Sequence, residues 1–132
     1  MSETELQERL FRFALNVILM LRTLKRDIDL NIISTQLCKA ATSSGANYEE
    51  AQGAVSRADF SCKVGISLKE MRESNYWLRI LEKLYPGNEE ITRLKNESEE
   101  LKRILGSINS KVAPRSKKTF SFFLSPFSFL PI

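Results

Sequence analysis

Apolar and small residues recur along this chain at steps of three and four, in four separate stretches, and no β pattern of any length interrupts them before residue 119. The first run is Leu6, Leu10, Phe13, Val17, Leu21 and Leu24. The second is Ile33, Leu37, Ala40, Ser44, Asn47 and Ala51. The third is Phe60, Val64, Ser67, Met71, Ser74, Leu78, Leu81 and Tyr85, and the fourth Ile91, Leu94, Ser98, Leu101, Leu105 and Ile108. Such spacing keeps a set of side chains on one side of an α-helix, and each stripe must find a partner surface away from water. Helices over about residues 4–24, 31–53, 57–84 and 89–110, joined by short connections, predict an all-α, antiparallel up-and-down four-helix bundle.

The punctuation fits that reading. Asn31 is a plausible cap for the second helix, and Ser56 with Asp59 forms an S-x-x-D start for the third. Tyr85-Pro86-Gly87 ends the third helix, because proline cannot continue the hydrogen-bond ladder and glycine tolerates a reversal. Asn88 or Gly87 then caps the fourth, whose Glu89 and Glu90 complement the positive end of the helix dipole. A dense run of small residues, Ala40, Ala41, Ser43, Ser44, Gly45 and Ala46, lies in the second helix. Gly45 costs roughly 1 kcal/mol of helix propensity relative to alanine, which a tight crossing with the third helix would offset. Phe11, Ile18 and Met20 widen the apolar surface of the first helix, either as a broad core face or as contacts to another subunit.

Composition divides the chain in two: a bundle domain over residues 1–112 and a Phe/Pro-rich tail over residues 113–132. The tail holds five of the eight phenylalanines and three of the four prolines. Three readings of it compete: an extension without regular structure, a cover for an apolar groove on its own or a neighbouring subunit, and a membrane-surface contact beside Lys117 and Lys118. The formal charge is +4, but Arg115, Lys117 and Lys118 supply most of it. Residues 1–112 carry 17 basic and 16 acidic groups, so the body exerts little long-range pull on a polyanion. No stretch is long enough to span a membrane, since Arg12 and Arg22 interrupt the first apolar segment. Cys38 and Cys62 fit a reduced, cytoplasmic protein in which each packs as a small apolar group, and the acidic N-terminus is no secretory signal.

The middle of the chain resembles the bacterial four-helix bundle proteins related to the protein encoded in 23S ribosomal RNA intervening sequences. The residues that carry the likeness are Ser44-Gly45-Ala46-Asn47-Tyr48-Glu49-Glu50-Ala51, then Ser56-Arg57-Ala58-Asp59-Phe60, then Glu70, Glu73-Ser74 and Tyr76-Trp77-Leu78. The resemblance covers roughly residues 5 to 110. The accessory variability determinant of diversity-generating retroelements has a related fold. What the resemblance implies is a homo-oligomer, a pentameric ring in some relatives, with RNA or DNA and a nucleic-acid enzyme as candidate partners.

Candidate chemistry is sparse. The chain has no histidine, which excludes a serine triad and the Glu-x-x-His form of a di-metal bundle site. No catalytic set is recognisable, no cofactor or metal is called for, and the chain reads as no enzyme. Glu70 and Glu73 project from neighbouring positions on one helical face and with Glu50 are the carboxylates an enzyme would have to gather into an open cleft. The alternative is a structural polar network of Asn47, Glu50, Arg57, Glu70 and Glu73, in which Glu50 pairs with Arg57, and Glu70 or Glu73 pairs with Lys63, Lys69, Arg9 or Arg12. For nucleic acid, Arg72, Arg79 and Lys83 share one side of the third helix, with Arg9, Arg12, Arg22, Lys25 and Arg26 on the first helix and its exit. Against that stands a merely solvated face, because Glu73 and Glu82 dilute the positive field. The expected function is a non-catalytic oligomeric scaffold or adaptor that docks RNA or a nucleic-acid enzyme. Direct, sequence-independent nucleic-acid binding by the basic stripes of an assembled ring is the alternative.

Overall fold

The computed structural model describes residues 1–112, as four helices: α1 (Glu3–Leu21), α2 (Ile28–Gln52), α3 (Arg57–Leu84) and α4 (Glu89–Val112). The expectations for the Phe/Pro-rich tail lie outside the described residues. Among those residues there is no strand, and no helix is long and apolar enough to cross a membrane.

Local chemistry sets each boundary. Ser2 caps α1 by a reciprocal pair of bonds with Glu5: the Ser2 hydroxyl accepts from the Glu5 N–H at 3.1 Å, and Glu5 Oε1 accepts from the Ser2 N–H at 3.1 Å. The bond from the Ser2 backbone holds the Glu5 carboxyl below its ordinary pKa. At its far end α1 stops at Leu21, three residues before the sequence pattern does. There the Thr23 hydroxyl donates to the Met20 carbonyl at 2.6 Å, and the Leu24 N–H reaches back to Leu21 in a tightened turn that still buries Leu24. The cap of α2 is Asp27, not Asn31. Asp27 Oδ1 accepts from the Ile28 N–H at 3.0 Å, and Asn31 lies one turn further in, with its N–H on the Asp27 carbonyl. Ser56 caps α3 through the Asp59 N–H as its motif indicates. Between α3 and α4, Gly87 has φ +86°, and Asn88 Oδ1 accepts from the Ile91 N–H at 3.0 Å.

Each helix packs on two neighbours: α1 on α2 and α4, and α3 on α2 and α4. The diagonal pairs make no such contact, which is the arrangement of an up-and-down bundle. The interior is filled by the expected stripes, with Leu10, Phe13, Val17, Leu37, Val64, Met71, Leu78, Leu81, Ile91, Leu101 and Leu105 all at or below 1% exposure. Tyr48 takes the buried place foreseen for Asn47 on α2. Asn47 lies half-buried at the edge, its amide donating to the Ser43 carbonyl at 2.9 Å. Met20 is core, whereas Phe11 is exposed and Ile18 half-buried. Cys38 packs against the core as foreseen, but Cys62 is exposed.

The small-residue run does two separate jobs. Gly45 faces α1, not α3: a methyl group added there would sit 3.5 Å from Leu10 Cβ and from the Leu10 carbonyl oxygen. The close approach of α2 to α3 belongs to its neighbour. Ser44 Oγ donates to the Ser67 carbonyl at 2.8 Å, and Ser67 Oγ donates to the Ser44 carbonyl at 2.7 Å. Both serines are fully buried. Each hydroxyl satisfies itself on the facing backbone, so the pair fixes the register of two helices without leaving a polar group unpaired.

Candidate functional site

The outer face of α3 carries an aligned row of exposed cations. Arg72, Arg79 and Lys83 are exposed there, and the same face includes Lys69 and Tyr76. Their steps of three, four, three and four line up four cations with one aromatic ring at the centre, along about 21 Å of helix. The Arg79 guanidinium lies over the Tyr76 ring, 5.8 Å from its centroid. Tyr76 in turn meets Trp77 edge to face, with centroids 5.0 Å apart and planes at 75°.

Buried chemistry beneath the stripe holds Arg79 in place. Asn75 is 2% exposed, and its Nδ2 donates to Ser98 Oγ on α4 at 3.0 Å. That leaves Asn75 Oδ1 to accept from Arg79 Nε at 3.0 Å. Ser98 Oγ in turn donates a hydrogen bond to the Lys95 carbonyl at 2.7 Å. A chain of bonds thus runs from α4 through the core edge to an exposed guanidinium. Of the acidic neighbours that would dilute the stripe, Glu82 is drawn to a cation on α4, whereas Glu73 is held by a neutral donor and keeps its charge. Glu73 accepts from Trp77 Nε1 at 3.1 Å, and Glu82 lies 3.7 Å from Lys95 Nζ on α4. Neither Lys69 nor Tyr76 was singled out from the sequence for this face, although the three-four spacing of Arg72, Arg79 and Lys83 extends directly to both. Asn75 offered no signal beyond a polar residue beside a core stripe.

The basic residues of α1 are placed differently. Arg9 makes a two-pronged contact with Glu97 of α4, Nε to Oε2 at 3.0 Å and Nη2 to Oε1 at 2.7 Å, with Glu100 beside it. The hydrogen bonds it donates to Glu97 raise the guanidinium's already high pKa. Arg12 lies on the surface one turn from Glu8, 3.3 Å away. Arg9 is therefore a strut between α1 and α4, and neither residue joins the α3 face.

The residues expected to form one polar network stand apart. Glu50 pairs with Lys63 at 2.6 Å, which raises the Lys63 pKa, while Arg57 is exposed at the start of α3. Glu70 is half-buried, and Glu73 serves Trp77. Glu50 lines a groove between α1 and α2 without Glu70 or Glu73, and among the described residues no three His, Cys, Asp or Glu side chains gather closely enough to hold a metal ion.

Comparison with known proteins agrees with the resemblance read from the middle helices. A family model described as "23S rRNA-intervening sequence protein" matches residues 2–107. The chain is similar to a protein with unknown function from the S23 ribosomal protein family of Bacteroides thetaiotaomicron, known from a crystal structure. The two share 34% identity and a TM-score of 0.70, over 79% of this chain and 97% of that one. Among curated proteins, none matches.

Proposed function

The chain belongs to the 23S rRNA-intervening sequence protein family, and we propose that it is a non-catalytic, self-associating module that docks single-stranded nucleic acid, RNA foremost, on the outer face of α3. One observation carries this reading: four exposed cations flank Tyr76, with Arg79 anchored over the ring and Glu82 turned to Lys95 of α4. Cations along a helix can follow a phosphate backbone, and an exposed ring gives a base something to stack on. Neither feature reads sequence, so the binding is sequence-tolerant. Fluorescence anisotropy with a labelled single-stranded RNA at low salt tests it. Arg72→Glu and Arg79→Glu each weaken binding about tenfold or more, as expected for a charge-assisted contact turned repulsive. Wild-type-like binding by the double variant would remove the proposal.

Self-association rests on a different surface. Phe11, Leu15 and Leu19 are 58%, 45% and 48% exposed at successive turns of α1, and Ile28 and Ile32 stand exposed on α2. A row of large apolar side chains of this kind is characteristic of a surface that another subunit covers. Assembly would set several α3 stripes side by side and raise their combined field, and the resemblance makes five copies the expectation. Sedimentation velocity gives the subunit number, and Leu15→Glu shifts the boundary to the monomer. A wild-type chain that sediments as a monomer at micromolar concentration contradicts this part of the reading.

A further inference from the structure

The exit of α1 and the first half of α2 enclose a second charged feature, separate from α3. A cleft of about 630 Å³ lies between the two helices, with Arg22, Arg26 and Lys39 around its rim. None of these three pairs with a carboxylate among the described residues. The nearest acids in sequence are committed to the backbone. Asp27 caps α2, and Asp29 Oδ1 accepts from the Leu30 N–H at 2.8 Å.

The wall of the cleft holds an unpartnered polar group. Ser34 lines it, is 5% exposed, and its hydroxyl is the one buried side-chain polar atom among the described residues without a hydrogen-bond partner. A buried unpaired hydroxyl costs about 1–3 kcal/mol, so such a group calls for a partner. The adjacent Thr35 cannot offer its proton to a ligand in the same way, because it already donates to the Asn31 carbonyl at 2.9 Å. Ile18, Leu21 and Cys38 give the remaining wall an apolar stretch, with Asn31 beside it.

We propose that this cleft binds a phosphate monoester, with Arg22, Arg26 and Lys39 on the phosphate oxygens, the buried Ser34 hydroxyl turning about its Cα–Cβ bond to donate to one of them, and the body of the ligand against Leu21 and Cys38. Charge selects the monoester. Its phosphate carries close to two negative charges at neutral pH, against three unpaired cations here, whereas an internal phosphodiester carries one and brings a sugar on each side. Cationic side chains around a hydroxyl donor and an apolar wall are the ordinary makings of a site for a phosphorylated small molecule or a phosphorylated chain end. This proposal does not depend on the α3 face, since α1 and α3 lie diagonally across the bundle.

The test is nuclear magnetic resonance of the ¹⁵N-labelled full chain, titrated at low salt with AMP, adenosine, and a short oligonucleotide carrying either a 5′-phosphate or a 5′-hydroxyl. AMP or the phosphorylated oligonucleotide shifts the amides of Ser34 and Lys39, and whichever does so identifies the source as a free nucleotide or a nucleic-acid end. Adenosine and the 5′-hydroxyl oligonucleotide leave those amides in place. Arg26→Ala and Lys39→Ala, both surface changes, each weaken the effect about tenfold, as befits one charge-assisted bond. Ser34→Ala weakens it less and leaves the fold intact. Arg72→Glu leaves it unchanged, which separates this cleft from α3. The proposal fails if neither phosphorylated probe moves these amides at roughly 1 mM, the range in which a weak specific site is already occupied. It fails equally if the phosphate-free probes move them as much.

Discussion

Ser44 and Gly45 are neighbours with opposite duties, and substitutions separate them. The gap above Gly45 is ordinary van der Waals contact for one added methyl group. Gly45→Ala is therefore expected to raise the unfolding free energy by up to about 1 kcal/mol, through helix propensity alone. Gly45→Leu must push into the Leu10 backbone and is expected to cost about 1–3 kcal/mol; urea unfolding measures both. At Ser44 the prediction is non-additive. Ser44→Ala or Ser67→Ala alone removes one bond to a facing carbonyl that keeps its partner within its own helix, and costs about 0.5–1.5 kcal/mol. The two hydroxyls also stand 3.2 Å apart, so the double variant costs less than the two together, a deviation that a double-mutant cycle reads directly. Tyr48 gives a pH signature. Burial raises its phenol pKa above 10.0, so the folded state keeps its proton where the unfolded state has begun to lose it. Its contribution is intact below pH 10.0 and is lost as pH rises from there through the folded value. Thermal melts at rising alkaline pH should show Tyr48→Phe losing less stability than the wild type. Equal losses would mean the ring is less enclosed than its surroundings indicate.

At the scale of the helix, the sequence disclosed stripes well and ends less well. The interior of α3 and both of its boundaries followed from Ser56, Asp59 and Tyr85-Pro86-Gly87, because each is a local device whose partner lies within one turn. The α1–α2 connection was misplaced because two capping residues, Asp27 and Asn31, stand one turn apart, and which one opens the helix depends on where Leu30 and Leu24 must be buried. The polar residues were hardest to place. Glu50 chose Lys63 over Arg57, and Arg9 chose Glu97, a residue far along the chain. Ion pairs across a bundle depend on helix rotation by a fraction of a turn, which periodicity alone does not fix. Arg72, Arg79 and Lys83 needed no such information, since their common face follows from spacing on a single helix. Asn75, which orients Arg79, needed all of it. Asn75→Ala should therefore lower RNA affinity without touching the ligand, and with the charge of the face unchanged its dependence on salt should persist.

For the whole molecule, four amphipathic rods leave little freedom in fold, and nearly all of the architecture was legible from the apolar steps. What the pattern could not disclose is how a body with 17 basic and 16 acidic groups acquires a basic face. The fold achieves it by sorting: Glu97 turns to Arg9, Glu82 to Lys95 and Glu50 to Lys63, while the α3 cations remain on the surface. That sorting is the central claim, and the salt dependence of RNA binding tests it most directly. With four phosphate contacts per subunit, the logarithm of the binding constant should fall against the logarithm of salt concentration with a slope of about −3, and Arg72→Ala should reduce its size by about 0.7. A slope near zero, or one that Arg72→Ala leaves unchanged, would contradict the account.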